Sequence, residues 1–234
     1  MFIQIKGCTV GNDKMNNLKI SEECNNAFDK IIETRRSIRF FKDKMPPKEL
    51  IEDIIKAGLL APYAAQAVGG EEYFRKFIII SKNSREMKEI AEITKNKVKI
   101  MSGQLKAQME KNPYLKEKGK SFSKRLDLFA DKGVLGIGTA PYYIVVAEKK
   151  GMPPVEQQSL AHCLQNMWLK ATALDLGFHL VSATSQMEDD KEFCEILGIN
   201  PGEFGLNGCA VGYPKEIPPK ASKPAVGEVT KWMD

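Results

Sequence analysis

The chain of 234 residues is long enough for one large domain or two small ones, and 43% apolar with 28% charged residues is ordinary for a globular protein in water. A formal charge of +5 is modest, and the lysines from Lys76 to Lys132 run among Glu86, Glu89, Glu92 and Glu110 without interleaved aromatics, a pattern of solvated helix faces that speaks against nucleic-acid binding. Five cysteines (Cys8, Cys24, Cys163, Cys194, Cys209) form no CxxC pair, which predicts neither a disulfide framework nor a cysteine metal site, and points to a reducing compartment.

In chain order, residues 1–20 with the polar "GNDKMNN" read as an N-terminal arm, and 21–234 as a single domain. "MFIQIKGCTV" lacks the basic and apolar regions of a secretory signal, and no apolar run reaches the ~20 residues that span a bilayer, so a cytoplasmic location without membrane partner is expected. A helix starts near Ser21 with Ala27, Phe28, Ile31 and Ile32 on one face, and ends at "TRRSIRFF". "PPKELIEDIIKAGLLAP" predicts a second helix, with Pro47 in its first turn and Leu50, Ile51, Ile54, Ile55 and Leu59 as its apolar stripe. "KFIIIS" reads as a buried strand. A lysine-rich helical section follows from Ser84 to Asp131, broken at Asn112-Pro113 and near Gly119. "APYYIVVAEKK" predicts a second strand, and Val155 to Leu176 a long helix facing the core with Leu160, Cys163, Leu164, Met167, Trp168 and Ala171. "HLVSATS" reads as a third strand, Asp190 to Leu197 as a short helix stopped by Gly198, and "NGCAVGYP" as a fourth strand. The tail after Pro214 is rich in proline and lysine, yet it keeps Val226, Val229, Trp232 and Met233. Helices alternating with short strands around one sheet place the fold in the α/β or α+β class.

Several catalytic devices are absent. "GVLGIG", Gly133 to Gly138, precedes a strand where a dinucleotide fingerprint would join strand to helix, and there is no phosphate-binding GKS or GKT and no GxSxG elbow. His162 and His179 have no partner at metal-ligand spacing and read as structural, so no metal is expected. Asp189, Asp190 and Glu192 suit the first turn of a helix. What stands out is arginine: six in the chain against twenty-nine lysines, three of them within five positions as Arg35, Arg36 and Arg39. A planar guanidinium fork suits bidentate recognition of phosphate or carboxylate. An anion site without a nucleophile, acid or metal fits a protein in which a bound cofactor does the chemistry, and no catalytic side chain is assigned.

"RRSIRFF" with the proline-initiated helix ending "AGLLAP", then "TAPYYIVVA", "QNMWLKATALDLGF" and "AVGYPKEIPP", resembles the nitroreductase family of flavin-dependent reductases, over roughly Phe28 to Val229. The resemblance implies an α+β fold, a three-layer sandwich whose central mixed, mostly antiparallel sheet is flanked by helices. It also implies an intertwined homodimer with FMN at the subunit interface, a C-terminal tail that wraps the partner, NAD(P)H as co-substrate, and a small-molecule electron acceptor such as a nitroaromatic or quinone reduced by a ping-pong mechanism. Arg35, Arg36 and Ser37 match the family segment that grips the ribityl phosphate and the pyrimidine edge of the flavin, and Arg39 falls in the same segment. A guanidinium there would stabilise the ring once it becomes anionic on reduction.

The sequence departs from the family pattern in two places. In "APYAAQAVGG" Tyr63 stands for the usual serine and Gln66 for the asparagine, and the Pro-Trp is missing; Gln66 is still expected to offer its amide to the flavin edge. In "PPKASKP" Ser222 occupies the position of a phosphate-binding arginine, leaving Lys220 and Lys223 as cations for that end. Thr184 and Ser185 of "SATS" align with the segment that runs past the ring. A reductive dehalogenase of the deiodinase branch, and a flavin-binding protein without catalysis, are the alternatives; the acid-Tyr-Lys set of the deiodinase lid is not evident.

Overall fold

The computed structural model describes residues 20–63 and 73–233. Helix α1 (Glu22–Thr34) starts at Ser21, whose hydroxyl accepts from the Cys24 N–H at 3.2 Å. Helix α2 (Lys48–Leu59) begins after Pro47 and buries Ile51 and Ile54. Strand β1 (Arg75–Ser81) leads into a helical excursion of α3 (Arg85–Lys111), α4 (Pro113–Lys118) and α5 (Lys120–Lys132). Its breaks fall where the sequence puts them. Asn112 accepts from the Leu115 N–H and so caps α4, Pro113 takes the first position where no amide is missed, and Gly119 ends α4. Strand β2 (Tyr142–Lys149), helix α6 (Glu156–Ala173) and strand β3 (Gly177–Leu180) follow, then α7 (Lys191–Leu197), β4 (Phe204–Gly212) and the short α8 (Val226–Val229).

The four strands form one antiparallel sheet in the order β1-β2-β4-β3. Residues alternate between its faces. Tyr143, Val145, Ala147, Leu206 and Ala210 pack under α3, α5 and α7, while Ile144, Val146, Cys209 and Val211 pack under α2 and α6. Strands buried on both faces explain the apolar run Tyr142–Ala147 in β2 and the apolar stretches on either side of Asn207 in β4, and each buried Val or Ile adds roughly 1.5–3 kcal/mol of burial. The result is the three-layer α+β sandwich expected. Its only parallel pairing among the described residues is an isolated bridge between Ser37 and Phe178. The lysine-rich excursion is no detached lid, because Met87, Ile90, Val98 and Leu126 are all buried in the core.

The third strand differs from expectation. It stops at Leu180, and Ser182–Met187 coil into a 3-10 helix. Thr184 Oγ donates to the Val181 carbonyl at 2.6 Å and Ser185 Oγ to the Ser182 carbonyl at 2.9 Å. Short hydroxyl side chains bonding their own backbone compete with the ladder, and here they win. The cysteines also depart from expectation: Cys163, Cys194 and Cys209 are free and buried, whereas Cys24 is disulfide-bonded. No helix among the described residues is long and apolar enough to cross a membrane.

Candidate cofactor site

Helix α1 ends at Arg35, whose backbone turns to the extended region while its N–H still closes on the Ile31 carbonyl at 3.0 Å. The side chain lies over the indole of Trp168, guanidinium carbon 4.3 Å from the ring centroid. Arg36 folds back on the helix: Nη1 donates to the Glu33 carbonyl at 2.7 Å and the Arg35 carbonyl at 2.8 Å, satisfying acceptors that a helix end leaves orphaned. Its Nε is buried and has no partner. A buried, unpaired guanidinium N–H is costly, and the described residues supply no acceptor for this one.

Beyond Arg36 the segment runs along the sheet edge. Ser37 bridges Phe178, and the Ile38 N–H donates to the Phe178 carbonyl at 3.0 Å. Ile38 lies so close to Gly177 that a Cβ there would sit 2.7 Å from Cγ2 of the isoleucine. On its other side the segment meets the start of the C-terminal tail. The Lys42 N–H donates to the Tyr213 carbonyl at 2.9 Å, and the Lys215 N–H to the Phe40 carbonyl at 3.0 Å. Residues 35–42 are thus stitched between β3 and 213–215. Arg39 is exposed. Burial, with the Arg39 charge adding to it, pushes the His179 imidazole down to about 4, so it stands neutral near neutral pH.

The other predicted residues divide. Thr184 is fully buried and its hydroxyl is committed. It donates to Val181, so at 2.7 Å it must accept from Tyr143 O–H, leaving no proton for a ligand. The Ser185 hydroxyl, though partly exposed, is likewise spent on the Ser182 carbonyl. Lys220 and Lys223 are exposed, and neither forms a hydrogen bond or ion pair with the arginine segment. Lys215, which the sequence did not single out, is the tail cation tied to that segment by a backbone bond. Gln66 lies outside the described residues. The helical pattern places Trp168 in the core; its indole N–H on the Arg36 carbonyl at 3.2 Å is a contact across 132 positions that no local pattern shows.

A second polar cluster lies at the far end of the sheet. Arg75 and Glu148, register partners on β1 and β2, pair at 2.8 Å with both side chains fully buried. Arg75 Nη1 also donates to the Gly58 carbonyl at 3.1 Å. Burial raises the Glu148 carboxyl above its ordinary range, and Arg75 opposes that rise. Tyr63, stacked on Phe74 at 3.9 Å between ring centroids, turns its hydroxyl inward without a partner, and Arg75 Nη2, Glu148 Oε1 and Glu156 Oε2 are unpaired as well. A cleft of about 520 Å³ between α3 and α7 is lined chiefly by Glu89, Glu92, Glu192 and Glu195. Among the described residues no His, Cys, Asp or Glu group is arranged to hold a metal ion.

None of the curated proteins matches the chain in sequence. Solved structures share the fold. A BluB-like flavoprotein from Clostridium difficile superposes with a TM-score of 0.66 at 22% identity, over 88% of this chain and 98% of the other. A nitroreductase with bound FMN from Desulfitobacterium hafniense gives 0.61 at 21% identity, over 88% and 98%. Iodotyrosine deiodinase bound to FMN and 3-iodo-L-tyrosine gives 0.60 at 20%, over 88% and 99%. The profile of the nitroreductase family matches residues 32–213, from the end of α1 to the residue after β4, and therefore takes in the arginine segment, the whole sheet and α6. With most of its length covered in this way, the chain belongs to the nitroreductase family.

Proposed function

We propose that the protein is an FMN-dependent oxidoreductase that passes electrons from NAD(P)H to a small-molecule acceptor such as a nitroaromatic or quinone. The observation that carries this reading is the unpaired, buried Nε of Arg36 in a segment held rigidly at the sheet edge of a nitroreductase fold. Arg35, Arg36, Ser37 and Arg39 would hold the phosphate and the pyrimidine edge. Lys215, Lys220 and Lys223 would add positive charge at the phosphate end, where lysine acts as a point charge. With the hydroxyls of Thr184 and Ser185 committed to the protein, the 3-10 helix offers backbone contacts instead. The chemistry that a bound flavin would supply here is two-electron transfer from a nicotinamide to the acceptor. Neutral His179 adds no charge at this edge, so the field there comes from the arginines and the lysines.

A homodimer belongs to the same reading. Helix α1 buries no residue fully, and Phe28 is 51% and Ile32 46% exposed. On the tail Val226, Val229, Trp232 and Met233 are more than two-thirds exposed. Such surface calls for a partner.

The test is retention of flavin. The purified protein should be yellow and should bleach anaerobically with NADH or NADPH. Arg35→Ala and Arg36→Ala should each lose flavin on dialysis, with affinity down tenfold or more, since a charge-assisted phosphate contact is worth roughly 1.5–3 kcal/mol. Apoprotein that takes up no FMN ends the proposal. Yellow protein that NAD(P)H cannot bleach points to flavin binding without this activity, and an anaerobic acceptor screen separates nitroaromatics and quinones from halogenated aromatics.

A further inference from the structure

We propose that Trp168 is the positioning residue of the phosphate end of this site: it sets the arginine segment and so governs selection of FMN over riboflavin, without touching either. The inference rests on the flavin reading. Its basis is that one indole holds the segment through three different contacts. Its Nε1–H donates to the Arg36 carbonyl at 3.2 Å, fixing the orientation of the peptide between Arg36 and Ser37. Its face carries the Arg35 guanidinium at 4.3 Å, where the ring quadrupole attracts a cation. Its other contact is the ring of Phe178, stacked at 5.1 Å and 21°. Phe178 is fully buried, pairs with Ser37, and accepts the Ile38 N–H at 3.0 Å. Trp168 and Phe178 together therefore hold all four residues from Arg35 to Ile38.

Such support is needed because the segment leaves a helix at this point. The Arg35 backbone is no longer helical, and a free arginine has many rotamers to lose when it meets an anion. Laid on the indole, Arg35 has already lost most of them. Arg36, by contrast, is tied by its Nη1 to carbonyls of its own helix, so its peptide must be held in one orientation for the unpaired Nε to face a ligand consistently. The indole N–H supplies that restraint. Trp168 also packs on the α2/α6 side of the core, so the competing account is packing alone. The two accounts differ in what they predict for ligands. Packing should affect any flavin equally, whereas positioning of the arginines should affect only the flavin with a phosphate.

The experiment is a pair of titrations on apoprotein, FMN and riboflavin, each followed by quenching of flavin fluorescence, with the thermal midpoint recorded beside them. Trp168→Phe keeps an aromatic face but loses the N–H. We expect FMN affinity to fall about fivefold and riboflavin affinity to change less than about twofold, on the usual worth of one hydrogen bond. Trp168→Leu loses the face as well and should cost FMN about twentyfold or more. In an Arg35→Gln background the added cost of Trp168→Leu over Trp168→Phe should shrink, because the cation it held is gone. Equal losses for both flavins, or an unchanged FMN-to-riboflavin ratio in both variants, overturns the inference while the flavin reading stands. Wild-type protein that binds neither flavin overturns both. Should the leucine variant fail to fold, the phenylalanine variant still decides.

Discussion

The Arg75–Glu148 pair gives the sharpest stability prediction. In Arg75→Met a volume of similar size remains, but Glu148 is left fully buried without its 2.8 Å partner, and the Gly58 carbonyl loses a donor. Removing one member of a buried pair costs about 3–5 kcal/mol, a large part of the ~5–15 kcal/mol that holds a domain folded. The cost should depend on pH. Burial already raises the Glu148 carboxyl from 4.5 with Arg75 opposing, so the substitution raises it further. The folded state then binds a proton that the unfolded chain has released. Stability is fully present below the unfolded value and falls by up to about 1.4 kcal/mol per pH unit until the raised folded value is passed. Urea unfolding of wild type, Arg75→Met and Arg75→Met/Glu148→Gln across pH 4.5 to 7.5 measures all of this. The double variant buries no lone charge and should recover much of the loss. A single variant within about 1 kcal/mol of wild type at pH 7.5, or a deficit flat in pH, would refute the reasoning.

Two further predictions concern other sites. Because the folded His179 is depressed from 6.5 to about 4, its contribution is present above pH 6.5 and is lost as pH falls through about 4; this amounts to at most about 3 kcal/mol, and His179→Gln should flatten that part of the urea-midpoint profile, a slope unchanged by the substitution counting against it. Sedimentation at micromolar concentration should give two chains per particle, and Phe28→Glu with Ile32→Glu should shift it toward one; a monomeric wild type would dispose of the apolar faces as an interface.

What could be read from the sequence was local. Asn112-Pro113 and Gly119 announce their breaks because capping and missing amides act within four residues. The apolar runs of β2 and β4 announce a doubly covered sheet. The third strand ends earlier than its sequence suggests because the hydroxyls of Thr184 and Ser185 bond nearby backbone carbonyls, an effect that composition alone does not separate from strand propensity. The arginine cluster was visible as an anomaly in residue choice. Its division of labour was not, since Arg36 caps its own helix and Arg35 rests on an aromatic ring far along the chain. The buried ion pair was hidden for the same reason: Arg75 and Glu148 sit at the ends of strands, where a charged residue ordinarily signals exit to solvent.

The stitching of residues 35–42 between β3 and 213–215 has a consequence for biosynthesis. Every bond that shapes the arginine segment, beyond its own helix, comes from chain made much later: Trp168, Phe178, Tyr213 and Lys215. At ordinary elongation rates the segment leaves the ribosome many seconds before those partners exist. Closing such long loops is slow and is rewarded only at the end. The sheet core can begin to assemble as β1 and β2 emerge, whereas the arginine segment takes shape only when synthesis is nearly complete. A chain stalled or clipped before Tyr213 would keep the contacts that Trp168 and Phe178 make with Arg35 to Ile38, but would lack the bonds that hold Phe40 and Lys42 from the tail side.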